Sequence, residues 1–207
     1  MSRCGGRGMH SESVWALKPL AEMSKQELHD WQVLLEDRTG LVLSDQRRAF
    51  LQTSLSARMR ELGVADYGSY YRQVTDGLQG AIEWSYLLDR LAVQETRFFR
   101  HRPSFELLDH YLRQRLAGPP LSHPLALWSV GCSTGEEPYS LAIVVEEILR
   151  SKEQPELFGV TGTDISFKAL SRAREGEYAA RKLEQVDIDL CERYFELSAG
   201  GGHKVIA

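Results

Sequence analysis

Apolar residues recur at helical spacing from about residue 23 to residue 101, and β-rich runs begin only near Leu125. Ser24 and Glu27 have capping-box spacing at the head of a helix that carries Leu28, Trp31, Leu34 and Leu35, and Gly40 ends it. A second helix follows Ser44 through Leu51, Leu55 and Met59 until Gly63, and residues 67–74 and 81–91 supply two more. Residues 118–124, Gly-Pro-Pro-Leu-Ser-His-Pro, break helix and form either an interdomain connection or the entry to a first strand. An apolar, strand-like run from Leu125 then stops at Gly131. Gly131 and Gly135 bracket a loop of small residues, and Pro138 falls in the first turn of the next helix, where its missing N–H costs nothing. That helix spans residues 139–150, with Leu141, Val144, Val145, Ile148 and Leu149 on one face. Residues 158–164, Phe-Gly-Val-Thr-Gly-Thr-Asp, form a second parallel strand tipped by an acid. The pattern therefore predicts a small all-α N-terminal domain followed by the opening half of a Rossmann-like domain.

Composition narrows the class. With 207 residues and 43% hydrophobic content, the chain can bury one sizeable core or two small ones. A net charge of −4 argues against a general nucleic-acid role. No apolar run approaches the ~18 residues of a membrane span, so no membrane insertion is expected. The N-terminal residues lack a signal-peptide core, so residues 1–22 are expected to be a disordered lead-in and the protein cytoplasmic. Cys4, Cys132 and Cys191 are scattered and without CxxC spacing, which predicts neither a disulfide framework nor a metal site. Cys132, inside the glycine loop, reads as a small space-filling residue more readily than as a nucleophile. Arg47, Arg48, Arg58 and Arg60 form the notable basic cluster and could steer an acidic partner, although spacing alone favours an ordinary solvated helix face.

The glycine loop constrains its ligand. Phosphate sites at helix N-termini want bare N–H groups or a lysine, whereas Glu136 and Glu137 stand in this turn. Two carboxylates would repel a pyrophosphate but can accept from an ammonium group or a ribose hydroxyl. S-adenosylmethionine offers an amino group, a sulfonium and a ribose, and no phosphate. One of the two glutamates can be assigned to the helix dipole alone. Asp164 lies 29 residues after Gly135, where such folds hold ribose hydroxyls. Its competing role is to cap the helix that starts near Ser166, and the glycine loop upstream favours the ligand. Residues 93–103, Val-Gln-Glu-Thr-Arg-Phe-Phe-Arg-His-Arg-Pro, are harder to place. Phe98 and Phe99 suit a core, while Arg97, Arg100 and Arg102 suit a pocket wall that binds a carboxylate.

Four segments together carry a family resemblance. Gln-Glu-Thr-Arg-Phe-Phe-Arg at 94–100, Gly-Glu-Glu-Pro-Tyr-Ser at 135–140, Thr-Asp-Ile at 163–165 and Ala-Arg-Glu-Gly-Glu-Tyr at 173–178 resemble the CheR family of chemotaxis receptor methyltransferases. These are S-adenosylmethionine-dependent protein-glutamate O-methyltransferases, and the resemblance runs from about residue 23 onward. It implies three regions: a helical receptor-binding domain over 23–92, a linker with a donor-site segment and a connecting helix over 93–124, and a partial donor-binding domain over 125–207. By the same resemblance Gln94, Thr96, Arg100, Glu137 and Asp164 contact the methyl donor, with Arg100 also beside the substrate carboxylate. Gln94 stands where the family has Asn. Arg47, Arg48, Arg58 and Arg60 fall on the family's receptor-binding element, so the implied partner is the cytoplasmic helices of a methyl-accepting chemoreceptor, bound by a monomer.

The chain also departs from the family pattern. Its last residues resemble the start of an inserted small β-subdomain, with residues 183–195 helical and 203–207 a returning strand. The family's later Asn-Leu and Arg-Asn pairs and a substrate-side Tyr have no counterpart, so the resemblance implies C-terminal truncation. The alternative is a catalytically incomplete module that binds a receptor or regulator. A small-molecule methyltransferase on the same fold is disfavoured by the Arg-Phe-Phe-Arg segment and the N-terminal helices.

Overall fold

The computed structural model describes residues 22–92, 95–118, 123–153 and 157–206. The chain divides into two compact units between Gln73 and Val74. In the first, α1 (Lys25–Thr39) opens with both bonds of the capping box: Ser24 Oγ accepts from Glu27 N at 3.2 Å, and Glu27 Oε2 accepts from Ser24 N at 2.8 Å. Gly40, at φ 71°, takes the left-handed conformation that stops it. A short 3-10 turn (Asp45–Arg47) leads into α2 (Arg48–Leu62), and α3 (Tyr67–Thr75) follows. Leu28, Trp31, Leu35, Leu51, Leu55 and Met59 are buried at the spacing read from the sequence. The Trp31 ring lies 5.5 Å from that of Tyr70 and meets Tyr71 edge-on at 5.2 Å.

The second unit begins with α4 (Gly77–Leu91) and α5 (Arg102–Arg115). Strand β1 (Leu125–Val130), helix α6 (Glu136–Ser151) and strand β2 (Phe158–Thr163) form a parallel crossover, in register from Leu125 opposite Phe158 to Val130 opposite Thr163. One face of this two-stranded sheet packs on helices: Leu125, Leu127 and Phe158 meet a core of Leu112, Leu116, Val145, Ile148 and Leu149. On the other face Trp128 and Val130 are exposed. Helix α7 (Phe167–Glu175) follows β2, and then come β3 (Glu177–Tyr178), a 3-10 turn (Ala180–Lys182), α8 (Ile188–Tyr194), β4 (Phe195–Leu197) and β5 (His203–Val205). The last three strands make an antiparallel sheet in the order β3-β5-β4. Its apolar side joins Phe98, Ile143, Tyr178, Leu183, Val186, Tyr194 and Phe195 in a second core.

Three boundaries differ from the sequence reading. Helix α4 starts at Gly77, four residues before the expected Ala81, and belongs with the second unit although the family pattern groups residues up to 92 with the first. It packs on α7, where Asp89 Oδ1 accepts from Ser166 Oγ. Helix α6 starts at Glu136, three residues before the expected Tyr139, because Gly135 (φ 96°) turns the chain directly into it. Within residues 183–195 only Ile188–Tyr194 is α-helical; Leu183 and Val186 leave helical spacing to fill the second core.

Candidate functional site

The loop after β1 is held at the tip of β2. Gly131 N and Cys132 N both donate to Thr163 O, at 2.8 and 2.9 Å, and Ser133 N donates to Asp164 Oδ2 at 2.8 Å. Asp164 Oδ1 accepts from Ser166 N at 2.8 Å. The N-cap of α7 is Ser166, whose Oγ accepts from Ala169 N at 3.0 Å, so Asp164 does not cap that helix. It braces the glycine loop, and a carboxylate with two such bonds keeps lone pairs for further donors. Gly135 sits where a Cβ would come within 2.7 Å of the Tyr178 hydroxyl and 2.9 Å of Ala173 Cβ, so only glycine fits. Tyr178 donates that hydroxyl to Thr134 O at 2.7 Å. Burial first, then the charges of Asp164 and Glu137, push the Cys132 thiol up; it stays protonated and fills space against Gly162.

The two adjacent glutamates separate completely. Glu136 is 0% exposed: its Oε2 accepts from Thr134 Oγ1 at 2.6 Å and its Oε1 lies 2.8 Å from Lys182 Nζ, close enough for an ion pair though outside hydrogen-bond geometry. Glu137 is exposed, accepts from Ser129 Oγ at 2.6 Å, and faces an open cavity. That cavity, about 550 Å³, is walled by Thr96, Arg97, Arg100, Trp128, Ser133 and Glu137. Ser133 Oγ is buried there with no hydrogen-bond partner among the described residues. Trp128 Nε1 donates to Thr163 Oγ1 at 3.0 Å, which pins the indole across the strand pair at the cavity rim.

The segment that closes the cavity divides as its chemistry suggests. Phe98 is fully buried and meets Tyr178 and Phe195 edge-on at 4.9 and 5.1 Å. Phe99, at φ 51°, donates its N–H to Ser140 Oγ at 3.1 Å. Arg100 donates from Nη1 to Glu95 O at 2.6 Å, and its exposed guanidinium borders the cavity. A larger cavity of about 710 Å³ lies beyond Arg100, reaches Arg102 and Glu184, and contains no residue of the glycine loop. Of the two, only the smaller joins residues of the glycine loop and Glu137 to Arg97 and Arg100, and Asp164 is not among its walls. Gln94 lies outside the described residues.

The four arginines of the N-terminal unit differ in their surroundings. Arg48 Nη2 donates to Met23 O at 2.8 Å, and Arg58 pairs with Glu61 at 2.9 Å, whereas Arg47 and Arg60 are exposed. Sequence reasoning missed Trp128 and Lys182 at the site. The first could have been found from strand alternation, since even-numbered β1 positions face away from α6; the second carries no local signal. Among the described residues no cluster of His, Cys, Asp or Glu could hold a metal ion, and no helix is long and apolar enough to cross a membrane.

A parallel strand–helix–strand crossover, a glycine loop that presents acids where a phosphate site would want bare amides, and a braced carboxylate at the second strand's tip define the donor half of a Rossmann-like methyltransferase domain. Comparison with known proteins agrees. The family model for the CheR methyltransferase SAM binding domain matches residues 94–207, and that for the CheR methyltransferase all-alpha domain matches residues 26–92. The chain belongs to the CheR methyltransferase family. It is 33% identical to the chemotaxis protein methyltransferase of Escherichia coli (strain K12) over 81% of this chain and 55% of that protein. It is 34% identical to chemotaxis protein methyltransferase 2 of Pseudomonas aeruginosa over 78% of this chain and 55% of that protein. The chain thus spans about half the length of the curated relatives it matches.

Proposed function

We propose that this chain supplies the methyl-donor site and the receptor-docking helices of a protein-glutamate O-methyltransferase that acts on chemoreceptors in chemotaxis-type signalling. The observation that carries the reading is the cavity shared by Thr96, Arg100, Glu137 and the glycine loop. The residues present suit S-adenosylmethionine: Glu137 offers a carboxylate to an ammonium group, Asp164 retains acceptor capacity at the strand tip for hydroxyls, and Ser133 Oγ is a buried hydroxyl in need of a partner. When bound, the donor brings an electrophilic methyl group.

The chain's own part is placement. A glutamate side chain is already ionised at neutral pH, so the accepting carboxylate needs no general base, only orientation and partial exclusion of water. Arg100 is placed to orient it: the guanidinium is anchored through Nη1 to Glu95 O, which leaves its remaining donors for a carboxylate at the cavity mouth. Charge is neutralised as the methyl moves, so a very tight ion pair in the ground state would slow transfer, and a partly exposed arginine suits the task.

Isothermal calorimetry with S-adenosylmethionine tests the reading. The chain should bind the donor, and Glu137→Gln, which keeps the bond from Ser129 but removes the charge, should weaken binding about tenfold. Absence of heat from the unaltered chain, or equal affinity in the variant, overturns the donor assignment. Retained binding to receptor helices without donor binding would leave a docking module.

A further inference from the structure

Lys182 comes from the 3-10 turn between β3 and α8, 46 residues after Glu136, yet it meets both Thr96, in the cavity wall, and Glu136, the neighbour of the cavity-facing Glu137. Its Nζ donates to the backbone carbonyl of Thr96 and lies 2.8 Å from Glu136 Oε1. The turn that delivers it is fixed on both flanks, because Tyr178 and Leu183 are buried in the core of the small antiparallel sheet. Enclosing a carboxylate as fully as Glu136 is costly unless a cation lies beside it. Lys182, with its side chain 29% exposed, is that cation.

The donor segment depends on such ties. Residues 95–101 belong to no helix or strand, so no backbone ladder sets their position. Beside the buried Phe98 ring, two polar links hold them to the first turns of α6: Phe99 N–H donates to Ser140 Oγ, which donates in turn to Glu136 O at 2.6 Å, and Lys182 bridges Thr96 O to the Glu136 carboxylate. Both converge on Glu136, one residue before the cavity-facing Glu137. We propose that Lys182 is a positioning residue of the donor site: it clamps the Thr96 segment against the glycine-loop helix and so couples the small antiparallel sheet to methyl-donor binding. The proposal rests on the donor reading above. In it Glu136 is the buried anchor of the clamp, and Glu137 is the ligand-facing partner.

Lys182→Met keeps the aliphatic stem and removes the charge, and Lys182→Arg restores a cation that can reach two acceptors. Amide hydrogen exchange and calorimetry on the full chain separate the possibilities. In Lys182→Met, amides of residues 95–101 should exchange about tenfold faster while those of β1 and β2 keep their protection, and the dissociation constant for S-adenosylmethionine should rise about tenfold; Lys182→Arg should recover most of both. Unchanged exchange at 95–101 overturns the clamp. Equal loss of protection in β1 and β2 overturns it too, since Lys182 would then serve general stability. If the unaltered chain binds no donor, the donor reading and the coupling fail together, while the exchange result still decides whether the clamp exists.

Discussion

At the scale of single residues, neighbours of identical chemistry receive different tasks from their surroundings. Glu136 and Glu137 are indistinguishable in a sequence, and the sequence reading could say only that one of them serves the helix. Burial beside Lys182 gives that structural part to Glu136, whereas Glu137 is exposed on the cavity. Arginines on and before α2 divide in the same way. Arg48 is tied to Met23 O and Arg58 to Glu61, so their charges are already engaged, while Arg47 and Arg60 project into solvent. A docking role for this cluster therefore falls first on Arg47 and Arg60. Replacing both with Glu should weaken binding to an acidic receptor helix severalfold in a pull-down titration and leave the melting temperature unchanged. Arg48→Glu should instead lower the melting temperature by a few degrees, about 1 kcal/mol of lost charge-assisted bonding. Equal receptor binding by the double variant would return the cluster to the status of a solvated surface.

Among elements, legibility followed the strength of the local signal. Capping chemistry and glycine stops made α1 readable from residue types alone, and β2 ended at the expected acid because its β-branched and aromatic run is bounded on both sides. Helix α4 was read short since Gly77 and Gly80 weaken helix propensity at its start, and packing of the element overrides that preference. Residues 183–195 were expected to be helical from the family resemblance, but Leu183 and Val186 are held by a core that the local sequence does not display, and the helix is confined to Ile188–Tyr194. Lys182 was invisible because its partners at Thr96 and Glu136 are distant in the chain.

One inter-element contact has a pH signature. Glu147 on α6 accepts from Arg193 and from the Tyr194 hydroxyl, joining α6 to α8. Burial acts against its charge, but the bonds from Arg193 and Tyr194 outweigh it and hold the carboxyl below its ordinary value of 4.5. A depressed carboxylate stabilises the fold above that ordinary value, and the contribution disappears as pH falls through the lower folded value. Glu147→Gln should cost about 1 kcal/mol in urea unfolding at neutral pH, and the deficit should shrink as acid protonates the carboxylate. An equal deficit at neutral and acid pH would contradict the linkage.

For the molecule as a whole, family patterns and compact units divide the chain at different places. The all-alpha family pattern extends to residue 92, whereas compactness places the division between Gln73 and Val74. Helix α4 is the difference: it buries Leu87, Leu88 and Leu91 and ties Asp89 to Ser166, two residues from Asp164. Each fully buried leucine contributes about 1.5–3 kcal/mol, so removing the helix subtracts an amount comparable to the stability of a small domain. A fragment of residues 74–207 should unfold cooperatively and retain the donor affinity of the full chain, and one of residues 93–207 should show no cooperative transition by circular dichroism. Cooperative unfolding of the shorter fragment would move the working boundary back to the family pattern.

Trp128 gives the donor cavity an optical reporter of its own. The indole is 68% exposed on the rim, held by its bond to Thr163, whereas Trp31 is fully enclosed in the other unit. Trp15 and Trp84 also emit, so the rim signal is isolated in a variant with both replaced by Phe, where red-edge excitation, which selects indoles in polar surroundings, weights the emission toward Trp128 and away from Trp31. A molecule that settles beside Glu137 replaces water against the Trp128 ring and alters its emission. Occupancy can thus be followed in solution without a label or turnover.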